Sequence, residues 1–418
     1  MEAYAAVLLW AIPGFFILVI IEFAYGHFSK KQTYTLMDTL ASLSSGMTNI
    51  IKDVLKLGLI LISYPILVNQ LSLIEIESTL SIYIIAFIAI DFASYWIHRL
   101  NHKINIFWNQ HIIHHSSEEF NLACALRQSI SNLIGYSALF LIPASFLGIP
   151  YEVILTLSPI HLFAQFWYHT RHIGKLGFLE YIIVTPSQHR VHHAINPIYI
   201  DKNLSAIFCI WDRIFGTFQE ELDSEPPIYG TLKPVQSWNP LWINFQHFWI
   251  LLRDAWYTKN WLCKIKIWFM PTGWRPPDVI KRFPLVSRKS KPLLRYNPKY
   301  TKSWKFVAVF HFSILVFMIL FLLGRFSELE SSFQLSYGLL IMYSIFGFTA
   351  LMDFHSWAPI FEQLRGILGL IFISLPQHKF LLANYPFSYG FLLIYFCVTV
   401  GVGLWAKRQA PKRRIALN

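Results

Sequence analysis

The chain has 418 residues, 55% of them hydrophobic and 14% charged, far more apolar and less charged than a soluble chain of this length. Its net charge of +12 is spread over segments flanking apolar runs, such as Lys281-Arg282 and Arg288-Lys289-Ser290-Lys291. Attraction to anionic lipid headgroups, about 1 kcal/mol per basic residue near the surface, accounts for such charges, and nucleic acid is excluded as a partner. Four isolated cysteines, Cys124, Cys209, Cys263 and Cys397, exclude a disulfide framework and a CxxC metal knuckle.

In chain order, the elements read as helices crossing a membrane, each span needing about 20 apolar residues. The first run, 6–23, follows Met1-Glu2-Ala3, without the positive n-region or the small-residue cleavage site of a signal peptide, so it is read as a true span. Clear runs follow at 55–71, 82–97, 306–323 and 387–404, with weaker ones at 133–147, 153–168, 335–352 and 364–375. Nine crossings are expected. No strand alternation, fixed-period repeat or low-complexity tract is visible, so the fold class is all-α, a polytopic membrane helix bundle. Residues 1–80 are expected to form a membrane anchor, 81–220 a catalytic block, 221–305 a linker, and 306–418 C-terminal spans with a basic tail. The linker holds Trp238, Trp242, Trp249, Trp256, Trp261, Trp268 and Trp274 among basic residues, a composition suited to the headgroup zone.

Basic short loops face the cytoplasm. Lys30-Lys31 and the tail from Ala406 to Arg414 are both basic, which puts the N-terminus and Ser327-Glu328-Leu329-Glu330 on the other side. With nine spans, the histidine-bearing ends of the third and fifth spans are cytoplasmic. The location is then an integral, multi-pass protein of the bacterial inner membrane or the endoplasmic reticulum.

Eleven of the sixteen histidines fall between His98 and His193, under a quarter of the chain. His98 and His102 form HxxxH; His111, His114 and His115 form HxxHH; His189, His192 and His193 form HxxHH again. Residues three and four apart share a helix face, so each motif is expected to aim its imidazoles at one point. Eight ligands are too many for one ion and suit two. Imidazole serves iron, zinc, copper or nickel, and spacing does not choose among them. Hydrogen bonding or pH sensing explains a lone histidine better than ligation does, but not three motifs at ligand spacing. His169, directly after the fifth span, is expected as a ninth ligand, and His161, two turns earlier on the same face, as a further one. His172 is either a ligand or a solvent-facing helix end. His27, His247, His311, His355 and His378 are scattered and read as structural.

A ligating imidazole gives its second nitrogen to a carboxylate or carbonyl. Asp91, seven residues before His98 inside an apolar span, and Asp212, in the string Trp211 to Thr217, are the expected outer partners. An ion pair with another helix is the alternative for Asp91, and a helix cap or an Arg213 pair for Asp212.

The three motifs, with Tyr95-Trp96-Ile97-His98-Arg99, His114-His115-Ser116-Ser117-Glu118, Ala125-Leu126-Arg127-Gln128-Ser129, Gln165-Phe166-Trp167, Thr185 to His193, Tyr199-Ile200-Asp201-Lys202-Asn203 and Ile210 to Phe218, resemble the fatty acid hydroxylase and sterol desaturase superfamily of membrane di-iron enzymes. Within it, the strings are most similar to the alkylglycerol monooxygenases, which cleave glyceryl ethers. The likeness covers residues 81–220 strongly and the flanking spans by architecture. It implies two iron ions held by the eight motif histidines and His169, O2 and a lipid substrate as reactants, and tetrahydrobiopterin as cofactor. It implies hydroxylation next to an ether oxygen, the product collapsing to a fatty aldehyde and a glycerol derivative. His161 and His172 depart from the family pattern.

The chain has no flavin or nicotinamide signature; Gly401-Val402-Gly403-Leu404-Trp405-Ala406 imitates a dinucleotide fingerprint but ends a membrane span. Electrons must come from a diffusible pterin or a separate donor protein. Two other readings stand beside the first: a hydroxylase or desaturase acting on a fatty acyl chain, sterol or carotenoid, and a non-catalytic membrane metal-binding protein.

Overall fold

Backbone polar groups inside a bilayer have no water to bond, so a chain this apolar must close its hydrogen bonds within helices. The computed structural model describes residues 2–57, 59–60, 63–132, 134–285, 295–385 and 388–409, and there the regular elements are helices apart from one two-residue parallel pairing of Leu59–Ile60 with Ile134–Gly135 and three isolated bridges, with irregular loops between. The N-terminal part comprises α1 (Glu2–Phe28), α2 (Leu36–Val54), α3 (Tyr64–Leu71) and α4 (Leu80–Lys103). The middle is built of short pieces: α5 (Asn105–Trp108), α6 (Ile142–Phe146), α7 (Tyr151–Phe163), α8 (Pro186–His192) and α9 (Ile210–Ile214). Then come α10 (Pro240–Tyr257), α11 (Trp261–Lys266), α12 (Pro277–Arg282), and the C-terminal bundle of α13 (Lys302–Gly324), α14 (Ser331–Met352), α15 (Ala358–Ser374), α16 (Pro376–Ala383) and α17 (Ser388–Gln409).

Among the described residues, five helices rather than nine are long and apolar enough to cross: α1, α4, α13, α14 and α17, with α15 and α16 a sixth if that pair, bent by 76°, counts as one. Each lost crossing has a local cause. The run 55–71 is broken because α2 stops at Val54, Lys56 takes a left-handed φ of 53°, and Pro65 opens the eight-residue α3. In 133–147 a 3-10 turn, Ser137–Leu141, runs into the five-residue α6. In 153–168 the 13-residue α7 ends at Phe163, well short of a bilayer's thickness. Pro376, lacking an N–H, forces the turn after α15. Conversely α2 reads as too polar to be a span, yet Asp38, Ser42, Ser44, Ser45 and Thr48 are all buried in it. Gly58, Leu61, Ile62, Leu133, Phe387, the basic group Arg288 to Lys291, and the tail beyond Gln409 lie outside the described residues.

The basic helix ends and the histidine block share one face, whatever the number of crossings. Near the Lys30-Lys31 end of α1, Glu22 accepts from Leu122 N at 2.7 Å and from Thr170 Oγ1 at 2.5 Å, besides Tyr34 Oη. Trp304, at the start of α13, packs on Trp405 two residues before Lys407 and on Phe354 just after α14. Glu118 and Glu119, just past the second histidine motif, receive Tyr296 N at 2.8 Å and Arg295 Nη1 at 2.7 Å.

The C-terminal bundle closes on itself. A Cβ at Gly366 would meet Val400 at 2.7 Å and one at Gly403 would meet Pro359 O at 2.7 Å, so only glycine lets α15 and α17 approach this closely. Between them Arg365, fully buried, pairs with Glu362 and donates to Tyr395 Oη at 2.9 Å, while His311 Nε2 lies 3.2 Å from Glu362. An unpaired charge here is more damaging than none. Arg365→Leu should therefore destabilise the protein by about 3–5 kcal/mol, read as thermal unfolding in detergent, and adding Glu362→Leu should restore part of the loss. A double variant less stable than the single one would refute the pairing.

Candidate metal centre

His98 and His102 leave the last turns of α4 one turn apart, on one face. The chain then turns through α5 into His111 and the 3-10 turn His114–Ser116, held by the buried Arg127, which donates to Ser116 Oγ at 2.7 Å, Ser42 Oγ at 2.9 Å and Asp38 Oδ1 at 2.6 Å. The third motif sits on α8, opened by Pro186 at its first position, where no N–H is needed.

These elements bring nine histidines together in two adjoining groups, His98, His102, His111, His115 and His192 in one, His114, His169, His189 and His193 in the other. Within each group one ring nitrogen per residue lies within 4.8 Å of all the others. The groups touch: the rings of His115 and His193 stack at 4.4 Å. The expectation that each motif serves one point is corrected here. His111 and His115 face the first group while His114 between them faces the second; His189 and His193 face the second while His192 faces the first. Neighbouring helical residues diverge by about 100°, so one HxxHH motif on a tight turn reaches both groups, and the two motifs do so reciprocally.

The donors fit metal ions. His98 and His111 place their Nε2 atoms 2.9 Å apart, His169 and His189 2.9 Å, His189 and His193 3.0 Å, His114 and His193 3.1 Å. An ion about 2.0–2.1 Å from each nitrogen holds neighbouring ligands roughly 3.0–3.4 Å apart. Nε2 of His102, His115 and His192 is buried without a hydrogen-bond partner, the condition of a lone pair reserved for a cation. Burial first, and the crowding of the other imidazoles second, push His111, His114, His115, His189, His192 and His193 well below the usual imidazole range. Burial takes His169 down to about 4. Neutral rings at physiological pH are the form that ligates.

His161 lies outside both groups. Its helix ends two residues later, so the face it shared with His169 in the sequence does not continue, and its Nε2 sits 2.8 Å from Asp91. Asp91, buried in α4, does not reach His98; it takes His161, Ile207 N at 2.9 Å, Phe208 N at 3.0 Å and Trp211 Nε1 at 2.8 Å. Asp212 caps backbone, accepting Leu204 N at 2.7 Å, Ser205 N at 2.9 Å and Thr217 Oγ1 at 2.6 Å. His172 packs edge-on against Tyr25 of α1, and His27, His247, His311, His355 and His378 are in neither group.

The partners of the clustered rings come from a segment whose spacing did not single it out for this role. Leu204 O takes His98 Nδ1 at 2.7 Å, Lys202 O takes His192 Nδ1 at 3.1 Å, and the Asp201 carboxylate lies 3.4 Å from His102 Nδ1. Burial opposes ionisation of Asp201, but His102 and Lys103 together hold its carboxyl down to about 2. The signal was present in Tyr199-Ile200-Asp201-Lys202-Asn203, a polar string just after the last motif.

Residues 83–217 match the family model for fatty acid hydroxylase. The chain is 32% identical over 405 residues to the alkylglycerol monooxygenase of Xenopus tropicalis, covering 96% of this chain and 89% of that one. It is 31% identical over 409 residues to the alkylglycerol monooxygenase of Homo sapiens, covering 96% and 88%. A shorter stretch, 32% of this chain and 41% of the relative, is 29% identical to an ornithine lipid hydroxylase of Rhizobium tropici. No solved structure matches. Because the likeness runs through the anchor and the C-terminal bundle as well as the histidine block, the chain belongs to the alkylglycerol monooxygenase family.

Proposed function

We propose that this membrane lipid monooxygenase hydroxylates the carbon beside the ether oxygen of an alkylglycerol, holding two iron ions and drawing electrons from tetrahydrobiopterin. The observation that carries the reading is the pair of adjoining histidine groups at the end of an apolar helix, in a chain similar along 96% of its length to an alkylglycerol monooxygenase. In such a reaction the ether R–CH2–O–R′ takes one atom of O2, and the other leaves as water with two electrons and two protons from the reduced pterin. The resulting hemiacetal breaks its C–O bond, the hydroxyl proton passing to the glycerol oxygen, to give aldehyde and glycerol derivative.

A redox-active metal pair would supply the activation of O2 that C–H hydroxylation requires. The protein's own part is to hold and shield. His98, His102, His111, His115 and His192 would hold one ion, and His114, His169, His189 and His193 the other. Their burial keeps water from the oxidant. Phe166, whose carbonyl lies 3.3 Å from His169 Nδ1, packs its ring on Phe15 of α1 at 4.6 Å, so an apolar wall runs from the bilayer side to the four-histidine group. A lipid chain would follow that wall while its headgroup stays at the surface. By the positive-inside rule this face is the cytoplasmic one, of a bacterial inner membrane or endoplasmic reticulum. The Trp-rich part of the linker, 221–285, would rest in the headgroup zone, as the exposed Trp256 and Trp261 suit.

Anaerobic reconstitution should give two iron ions per chain by elemental analysis, and His102→Ala and His189→Ala should each lose one; a single ion in the unaltered protein would contradict the two-group reading. The iron-loaded protein, given an alkylglycerol and reduced pterin, should release fatty aldehyde, and His114→Ala or His192→Ala should abolish it. Aldehyde formed equally with a ferredoxin or cytochrome and no pterin would favour a protein donor, and activity on acyl or sterol lipids alone would favour the other hydroxylase reading. Metal without lipid-dependent oxygen uptake would sink the enzyme reading altogether.

A further inference from the structure

The strap from Asp201 to Asp212 is folded so that its two sides face different partners. Asp201 and Asn203 both take the left-handed conformation, φ 57° and 50°, which residues with a Cβ adopt rarely and Asn and Asp most readily. Asn203 is buried and ties the strap down, donating to Gln188 O at 3.0 Å and Gln219 O at 2.7 Å and accepting from Gln219 N at 2.8 Å. The amides of Leu204, Ser205, Ile207 and Phe208 then turn to Asp212 and Asp91, while the Lys202 and Leu204 carbonyls and the Asp201 carboxylate turn to the histidines.

A carbonyl oxygen can only accept. His98 and His192 therefore carry their proton on Nδ1 and leave Nε2 as a lone pair. His102 is treated differently, because its Nδ1 faces a carboxylate, and this carboxylate is itself held by Lys103 Nζ at 2.6 Å. Among the described residues no carboxylate lies on a ring of the four-histidine group.

We propose that Asp201 is a positioning residue for the five-histidine group, fixing His102 in the tautomer that offers Nε2 and, through its charge, making this group the tighter of the two metal positions. The proposal rests on the two-ion reading above. An anionic partner makes an imidazole a stronger base, and loss of such a partner weakens metal binding by roughly 10–100-fold.

The test is titration of the metal-free, detergent-solubilised full chain with cobalt(II), whose visible absorption reports coordination, in the unaltered protein and in Asp201→Ala, Asp201→Asn and Lys175→Ala. The unaltered protein should bind two equivalents in two steps. Asp201→Ala should weaken the tighter step by about 10–100-fold and alter its spectrum while leaving the weaker step in place. Asp201→Asn, which keeps an acceptor oxygen without the charge, should restore the spectrum with intermediate affinity, and Lys175→Ala, which breaks an exposed ion pair with Glu220 instead, should leave both steps unchanged. An unaltered tighter step in Asp201→Ala, loss of both steps, or an equal effect of Lys175→Ala would overturn the proposal while leaving two-ion binding intact. If Asp201→Ala does not fold, Asp201→Asn decides, unaltered affinity there being the refuting result. Fewer than two equivalents bound by the unaltered protein would overturn the two-ion reading, and this proposal with it.

Discussion

Nine imidazoles, six buried and three part-buried, with their nitrogens about a hydrogen bond apart cannot all satisfy one another, and lone pairs are left facing each other unless a cation lies among them. A pair such as His98 and His111, whose Nε2 atoms approach to 2.9 Å, can share at most one proton, and the carbonyl on His98 Nδ1 has already claimed that ring's hydrogen. A shared ion would relieve every such contact in the group at once, so that its binding and the folding of this block would be one free energy rather than two. The rest of the architecture can be understood as the means of holding these lone pairs together in a setting where few charges are tolerated.

That setting explains why the polar pins of the block are so thoroughly satisfied. Asp91 takes four donors, Glu22 takes three, and Arg127 gives to three oxygens from α2 and the second motif. Each joins elements far apart in sequence: α4 to α7 and the strap, α1 to the loop after the second motif and to Thr170, α2 to the turn carrying His114 and His115. A buried charge with a full set of partners fixes one arrangement of its neighbours, because any other arrangement strands it. The protein thus uses the expense of charge in an apolar medium to set the positions of ligands that carry no charge themselves.

How much of this was legible in the residues follows from what sets each feature. The clustered histidines at 98, 102, 111, 114, 115, 189, 192 and 193 are visible because a spacing of three or four is a local rule. Their division between two groups is not, since it depends on a 3-10 turn at His114 and on how α8 is rolled against α4. His161 misleads for the same reason: helical phase carries it toward His169 only if the helix continues, and α7 stops at Phe163. Hydropathy finds α1, α4, α13, α14 and α17 and misjudges the rest. An apolar run does not reveal that Pro65 and Lys56 break it, and a helix such as α2, polar where it faces Arg127, does not look like a membrane neighbour at all.

The division of the HxxHH motifs carries a chemical consequence. Because His114 and His192 each cross to the group opposite their own motif's pair, neither group can be moved without moving a ligand of the other. The two groups are therefore tied to each other by the chain, with His115 stacked on His193 between them. The five-histidine group receives Asp201 from the strap, and the four-histidine group adjoins Phe166 and, through it, Phe15 of α1. A site so built has one half held by the polar strap and one half adjoining apolar residues of α1, an asymmetry that suits chemistry on a membrane-borne chain.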